Sequence, residues 1–229
     1  MVIKLLILQT DRINEMKKFY VDLFGFPLIK EDKDCFRIAV GSSQLEFTSE
    51  KVKGHPYYHF AFNIPSNQFN EAKSWVKEKV KLNVEDGEDE VYFSFFEANA
   101  LYFYDPAGNI VEFISRNTSK TETKTFSIEN VLNISEIGLT VDDAVKAGNK
   151  LMEIGIYERD NGPLSQTSLN FMGEKSKGIF IILNQPGRRW IFSNKISEVY
   201  PVEILTDDSS RITVRSDNQV EIYKGGGRL

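Results

Sequence analysis

Cysteine occurs once in the 229 residues, at position 35, and histidine only twice, at 55 and 59. A single thiol excludes an internal disulfide, so stability has to come from packing, and the expected compartment is the reducing cytoplasm. No apolar run approaches the roughly 20 residues that a bilayer requires. The opening MVIKLLILQTD meets charge too soon to form a signal-peptide core, so the expectation is a chain that neither spans a membrane nor is exported. Lys/Arg-rich runs are missing too. With 28 Lys+Arg against 33 Asp+Glu and a net charge of -5, the electrostatic footprint of a nucleic-acid binder is lacking. G-x-S-x-G, a phosphate-cradling glycine loop and CxxC do not occur, which removes support for elbow-serine acyl transfer, nucleotide hydrolysis and dithiol redox chemistry. Small polar or metal-assisted ligands remain open.

What is present is a repeated pattern. IKLLILQT (3–10) has strand character; Thr10-Asp11 can cap a helix whose Ile13, Met16, Phe19, Tyr20, Leu23 and Phe24 recur at helical spacing, and Gly25 stops it. FPLIKE, CFRIAV and QLEFTS then read as strands. A second pass opens with YHFAFNI, caps at Ser66 and places Phe69, Ala72, Trp75, Val76 and Val80 on one helix face. It runs on through VYFSFFE, ALYFYD and NIVEFIS, with EANA (97–100) as the hairpin turn. Both passes give strand, helix and three strands. Leu45-Glu46-Phe47-Thr48-Ser49 and Val111-Glu112-Phe113-Ile114-Ser115 close them in the same form. Lys4 stands seven residues before Asp11, as His59 stands seven before Ser66, so the repeat pairs Lys4 with His59 and Glu46 with Glu112.

Between Ser115 and Thr125 the chain reads SRNTSKTETKT, eleven residues without an apolar side chain. Such a stretch is expected to be an exposed connection, with a unit of two tandem modules over 1–117, a linker over 118–127, and a third, degenerate module plus extra strands over 128–229. ISEIGLTVDD and AVKAGNKLMEIG give strand, acidic cap, helix and stopping Gly155. SLNFMGE, GIFIILN and RWIFSN supply strands, although Trp190 or Ile191 stands where the repeat wants glutamate. VEILT, RITVRS and QVEIYK complete an α+β chain, and GGGRL reads as a frayed tail.

Paired strand-helix-strand-strand-strand modules, FYVDLFGFPL after the first cap, a strand opening with His59 and DPAGNIVEF at 105–113 together resemble the vicinal oxygen chelate superfamily. That superfamily includes glyoxalase I, extradiol dioxygenases, fosfomycin-resistance proteins and bleomycin-binding proteins. The resemblance covers 1–115 well, 128–195 weakly and nothing beyond. It implies curled mixed sheets around a cleft, with metal ligands on the first and last strands of each module. His59 and Glu112 match two ligand positions and Glu46 a third; the fourth falls at Lys4, or at Leu5 if the helix is the anchor.

One imidazole and two carboxylates suit Fe, Zn, Mn or Ni with positions left open for water and substrate. Such an ion would act as a Lewis acid on a vicinal oxygen pair or would lower the pKa of bound water, with Glu112 as the catalytic carboxylate. A Lys4 ammonium in the same cleft would repel a divalent cation and pair with a glutamate instead. Two functions follow. One is a metal-dependent enzyme of glyoxalase/dioxygenase type acting on a small molecule; the other is a metal-free binding protein for an aromatic or antibiotic-like ligand, with Lys4 and the glutamates as its polar floor. Tyr102 and Phe95, on the aromatic hairpin, are the candidate ligand-wall residues beside Lys4. A homodimer is a further expectation. His55, between Gly54 and Pro56, reads as a loop residue, Cys35 as a small buried group, and Arg188 and Arg189 as solvated turn residues.

Overall fold

The computed structural model describes residues 1–117, 120–122 and 125–225. The first five elements are β1 (Ile3–Gln9), a short helix α1 (Ile13–Lys17), β2 (Leu28–Asp32), β3 (Cys35–Val40) and β4 (Ser43–Thr48). Past α1 the helix widens into a π turn over Lys18–Leu23. Next come β5 (His59–Ile64), α2 (Phe69–Lys77), β6 (Val91–Phe93), β7 (Ala98–Tyr104) and β8 (Ile110–Arg116). The second half holds β9 (Asn133–Thr140), α3 (Ala144–Glu153), β10 (Asn170–Glu174) and β11 (Ile179–Asn184), then β12 (Val202–Thr206), β13 (Arg211–Val214) and β14 (Val220–Tyr223). Two short 3-10 turns, Ile128–Asn130 and Lys175–Lys177, fill connections. Among the described residues no helix is long and apolar enough to cross a membrane.

Two seven-stranded mixed sheets result. One runs β14-β13-β12-β1-β4-β3-β2, the other β10-β11-β9-β5-β8-β7-β6. The first two modules therefore do not enclose a cleft with each other: the first shares its sheet with the last three strands, and the second with β9, β10 and β11. Each module places its first strand parallel to its last, β1 beside β4, β5 beside β8 and β9 beside β11. A parallel neighbour needs a crossover, which the helix supplies. β1 and β5 then gain antiparallel partners, β12 and β9, on their free edges. Leu6, Leu8 and Phe47 of one sheet and Phe60, Phe62 and Ile137 of the other are fully buried in a core common to both. Each such side chain contributes about 1.5–3 kcal/mol of transfer free energy.

Several local expectations are corrected. The turn of the aromatic hairpin is Ser94–Glu97, not 97–100: the backbone N–H of Phe96 donates to Phe93 and Glu97 takes φ 48°, so Ala98 to Ala100 belong to β7. The caps of α1 and α2 are Arg12 and Gln68, neither with a side-chain capping bond, whereas Asp143 caps α3 by accepting from the Lys146 N–H. RWIFSN is not a strand. It lies in a loop in which Phe192 takes φ 52°, incompatible with an extended ladder. Ser115 and Arg116 end β8 and are buried, so the polar run does enter the interior. Residues 118, 119, 123 and 124 of the expected linker, and 226–229 of the expected tail, lie outside the described residues.

FYVDLFGF and DPAGN turn out to be one buried network. Asp105 Oδ2 accepts from the Tyr20 hydroxyl at 2.8 Å and from the Asn109 amide at 2.7 Å, while Oδ1 accepts from the backbone N–H groups of Ala107 and Asn109, each at 3.0 Å. Asn109 Oδ1 in turn accepts from the Tyr58 N–H at 2.7 Å. These bonds fix the start of β5 against the start of β8, one residue before His59. Burial pushes the Asp105 carboxyl up to about 6, against the lowering pull of its four donors.

Candidate metal centre

The register of the second sheet explains how three distant residues meet. Ala61 of β5 lies opposite Glu112 of β8 on one side and Glu136 of β9 on the other, so both carboxylates rise from one face, flanking a residue whose methyl leaves room between them. His59, two positions earlier on β5, shares that face. One ligand atom from each of His59, Glu112 and Glu136 falls within 4.8 Å of the other two, and all three residues are buried. Among the described residues this is the His/Cys/Asp/Glu group compact enough to hold an ion.

The imidazole has one available protonation pattern. Its Nδ1 lies 3.1 Å from the carbonyl oxygen of Ile110, which can only accept, so Nδ1 carries the hydrogen. Burial pulls the His59 pKa down, more than the Glu136 charge raises it, and the ring is neutral. Nε2 therefore presents a lone pair, and 3.5 Å away stands Oε2 of Glu112. Two acceptors facing each other in a desolvated pocket need a proton or a cation between them. Glu112 Oε1 has no hydrogen-bond partner among the described residues. Burial first, and the neighbouring Glu136 charge second, raise the Glu112 pKa well above the usual carboxylate range. Tyr102 stands directly across the ladder from Glu112 and favours its charged form. Glu136 is paired with the Arg116 guanidinium. A neutral imidazole and two carboxylates, one with a bare oxygen, make a donor set suited to a divalent transition metal, and the residues fit such an ion.

Comparison with known proteins agrees with this architecture. The Glyoxalase/Bleomycin resistance protein/Dioxygenase superfamily model matches residues 2–113. The matched half of the chain belongs to the vicinal oxygen chelate superfamily. A second family model, described as toxoflavin-degrading enzyme, matches residues 134–188, the module that carries Glu136. Metallothiol transferase FosB of Staphylococcus epidermidis is 24% identical over 123 residues, 52% of this chain and 83% of that protein. Its counterpart from Staphylococcus haemolyticus is 28% identical over 101 residues, covering 42% and 69%. Among solved structures, an integron cassette protein from the Halifax Harbour sewage outfall metagenome is similar at 20% identity and a TM-score of 0.44, over 49% of this chain and 97% of that one. Lactoylglutathione lyase from Agrobacterium tumefaciens is similar at 19% identity and a TM-score of 0.42, over 50% and 92%.

The structure brings His59 and Glu112 together but leaves Glu46 and Lys4 elsewhere. Glu46 stands in the first sheet, cross-strand from Arg37, whose Nε and Nη2 bind its Oε2 at 2.8 and 2.7 Å. Lys4 sits at a bulge in β1, between the residues registered to Thr206 and Leu205, and is exposed. Register identifies the true counterpart of His59: Ile7 opposes Glu46 as Ala61 opposes Glu112, so Leu5 takes the histidine's place. Ile7 also opposes Glu203 of β12, as Ala61 opposes Glu136. The first sheet thus repeats the carboxylate positions with a leucine for the imidazole, Arg37 on Glu46 and Arg211 on Glu203 at 3.3 Å. Arginine neutralises both acids there.

A cavity of about 420 Å³ opens over the centre, walled by Phe93, Phe96, Tyr102, Phe171 and Trp190. The sheet curls until its edges touch: Phe96, beyond β6, packs on Phe171 of β10 at 5.3 Å. Phe95 points out instead, 51% exposed, its ring beneath the Arg159 guanidinium at 4.3 Å, so it does not form the wall assigned to it. The 185–197 loop closes the top. Its Trp190 indole lies 4.9 Å from the His59 ring and Phe192 stacks on Tyr102 at 4.9 Å. Glu85 latches the loop by binding both the Arg189 guanidinium and the Phe192 N–H, and Asn83 donates to the Phe192 carbonyl at 2.9 Å. Arg188 is exposed at the rim, and its guanidinium has no ion-pair partner among the described residues. His55, also exposed, pairs with Asp11 at 2.5 Å; Cys35 is half-buried, its thiol pushed up chiefly by burial.

Gly138 permits this closure. A Cβ there would meet the Trp190 ring at 2.7 Å. Gly138→Ala is expected to displace the indole and cost about 1–3 kcal/mol, read as a red-shifted Trp190 emission in a Trp75→Phe background.

Proposed function

We propose that the protein is a metal-dependent enzyme that acts on a small molecule presenting two adjacent oxygens, bound in the aromatic cavity above His59, Glu112 and Glu136. The observation that carries this is the opposition of the His59 Nε2 lone pair to the Glu112 carboxylate, with a bare Glu112 oxygen and Glu136 beside them. The relatives named metallothiol transferase support the metal; the cavity volume and rings support a ligand of small-molecule size with an apolar or aromatic body. A bound divalent ion supplies Lewis acidity toward the oxygen pair.

The chain's own residues do the rest. His59, fixed by Ile110, offers one nitrogen in one tautomer. Tyr102 stands directly across the ladder from Glu112 and flanks that carboxylate, the group of the three placed to take a proton from the bound molecule. Trp190 and Phe192 exclude water from above, and an anionic group on the ligand would find Arg188 at the rim. Elemental analysis of protein purified without chelators should find about one transition-metal ion per chain, and oxygen dependence of turnover separates dioxygenase from glyoxalase chemistry. Metal-free protein whose ligand binding ignores added Mn, Fe or Zn would instead indicate the metal-free binding protein, a reading favoured by the Arg116–Glu136 pair, in which a guanidinium already neutralises one acid.

A further inference from the structure

Arg116 is held as deliberately as the ligands. It is 3% exposed, at the end of the strand that carries Glu112, and its guanidinium binds the Glu136 carboxylate at Oε1. The rings of Phe96 and Phe180 lie against the guanidinium carbon at 5.0 and 5.4 Å, two cation–π contacts. Gly178, at φ 59°, makes room for the stem: a Cβ there would come within 2.5 Å of Arg116 Cδ. Nε and Nη1 have no hydrogen-bond partner among the described residues; Nη2 reaches Glu136 and, at 3.4 Å, the Ser135 hydroxyl, so Glu136 is the arginine's ion-pair partner.

Burying a guanidinium costs several kcal/mol unless a charge answers it. Arg116 answers Glu136, and without it the pocket would hold two desolvated carboxylates 4.8 Å apart or less. A divalent ion does the same work. The two cations therefore compete for one carboxylate: Glu136 Oε1 is committed to the arginine, and an ion arriving between His59 and Glu112 meets a fixed positive charge across Glu136. The first sheet shows the same device carried further, with Arg37 on Glu46 and leucine at the histidine position.

We propose that Arg116 is a built-in counter-ion of the metal centre, which competes with the divalent ion for Glu136 and holds the centre's metal affinity below what its three ligands alone would give. This rests on the metal-dependent reading above. It predicts a gain, which a merely structural role for Arg116 would not produce.

The test is Mn²⁺ affinity, followed by electron paramagnetic resonance of the free ion and by calorimetry, for the wild type, Arg116→Gln and Arg116→Lys in the full chain. Arg116→Gln should bind Mn²⁺ about 10- to 100-fold tighter, and Arg116→Lys, which keeps the charge, should stay near wild type. Equal or weaker binding by Arg116→Gln overturns the proposal. Binding by Arg116→Gln with none by the wild type supports the counter-ion and overturns the metal-dependent reading of the native chain. If no protein of the three binds, both fall. Should Arg116→Gln be unfolded without metal, Mn²⁺ should refold it, and failure to refold at millimolar Mn²⁺ overturns the proposal as well.

Discussion

His59→Ala is expected to lower the affinity for a divalent transition metal by a hundredfold or more, since loss of an outer-shell partner alone typically costs about 10- to 100-fold and this change removes a ligand. His59 is the nitrogen donor of the group, and what remains after its removal is two carboxylates of which one is already bound by Arg116. Protein stability should change much less, because the ring's protein contacts are one bond to Ile110 and packing against Trp190 and Tyr102. A metal titration beside a thermal melt separates the two effects. A melt that collapses while residual metal affinity stays intact would show that the histidine is a packing group and not a ligand.

The second large effect belongs to Asp105. Asp105→Ala strips acceptors from the Tyr20 hydroxyl, the Asn109 amide and two backbone N–H groups, all in a buried turn. Each abandoned buried donor costs about 1–3 kcal/mol, and with partial relaxation the sum should be about 3–5 kcal/mol by chemical denaturation. The pH dependence has a definite sign. The folded-state pKa of about 6 is raised above the ordinary aspartate value, so the native state binds this proton more readily than the unfolded chain. The stabilisation is complete below about pH 4 and is lost as the pH rises through about 6, for a total of about 3 kcal/mol. Asp105→Asn removes the titration, and the difference between wild-type and variant denaturation midpoints should change across that window and be flat above it. A pH-independent difference would place the carboxyl pKa elsewhere.

This network also shows how the chain's sequence could disclose its family before its site. FYVDLFGF and DPAGN are tied to each other because Tyr20, Asp105 and Asn109 satisfy one another's polar groups in the buried core. Their effect on the centre is indirect, through the Asn109 bond that sets Tyr58 and hence His59. Strand and helix patterning was legible because it follows burial: CFRIAV reads as a strand, and alternation in β3 puts Phe36, Ile38 and Val40 inside. Which sheet each module would join was not, because pairing of β5 with β9 rather than with β1 is decided by edges that no local pattern records.

Glu136 illustrates a signal present but unused. It stands seven residues before Asp143, the observed cap of α3, as His59 stands seven before Ser66 and Lys4 seven before Asp11. The spacing that pointed to His59 pointed equally to Glu136; the absence of a second-half histidine drew attention away from it. Lys4 fails for a backbone reason, since the bulge at that residue shifts the parity of β1 and leaves Leu5 at the homologous place. Glu46 fails through its partner, as Arg37 directly across the ladder occupies it. Arg116 was hidden by composition. A polar run reads as solvent-exposed unless one knows that a buried carboxylate waits opposite.

One divalent ion is expected in the second sheet, held by His59, Glu112 and Glu136, and none in the first. Anomalous diffraction from crystals equilibrated with Mn²⁺ tests it directly. One peak per chain, within coordination distance of His59 Nε2 and both carboxylates, is the expected result; no peak there, or a peak at Glu46 and Glu203 instead, contradicts it.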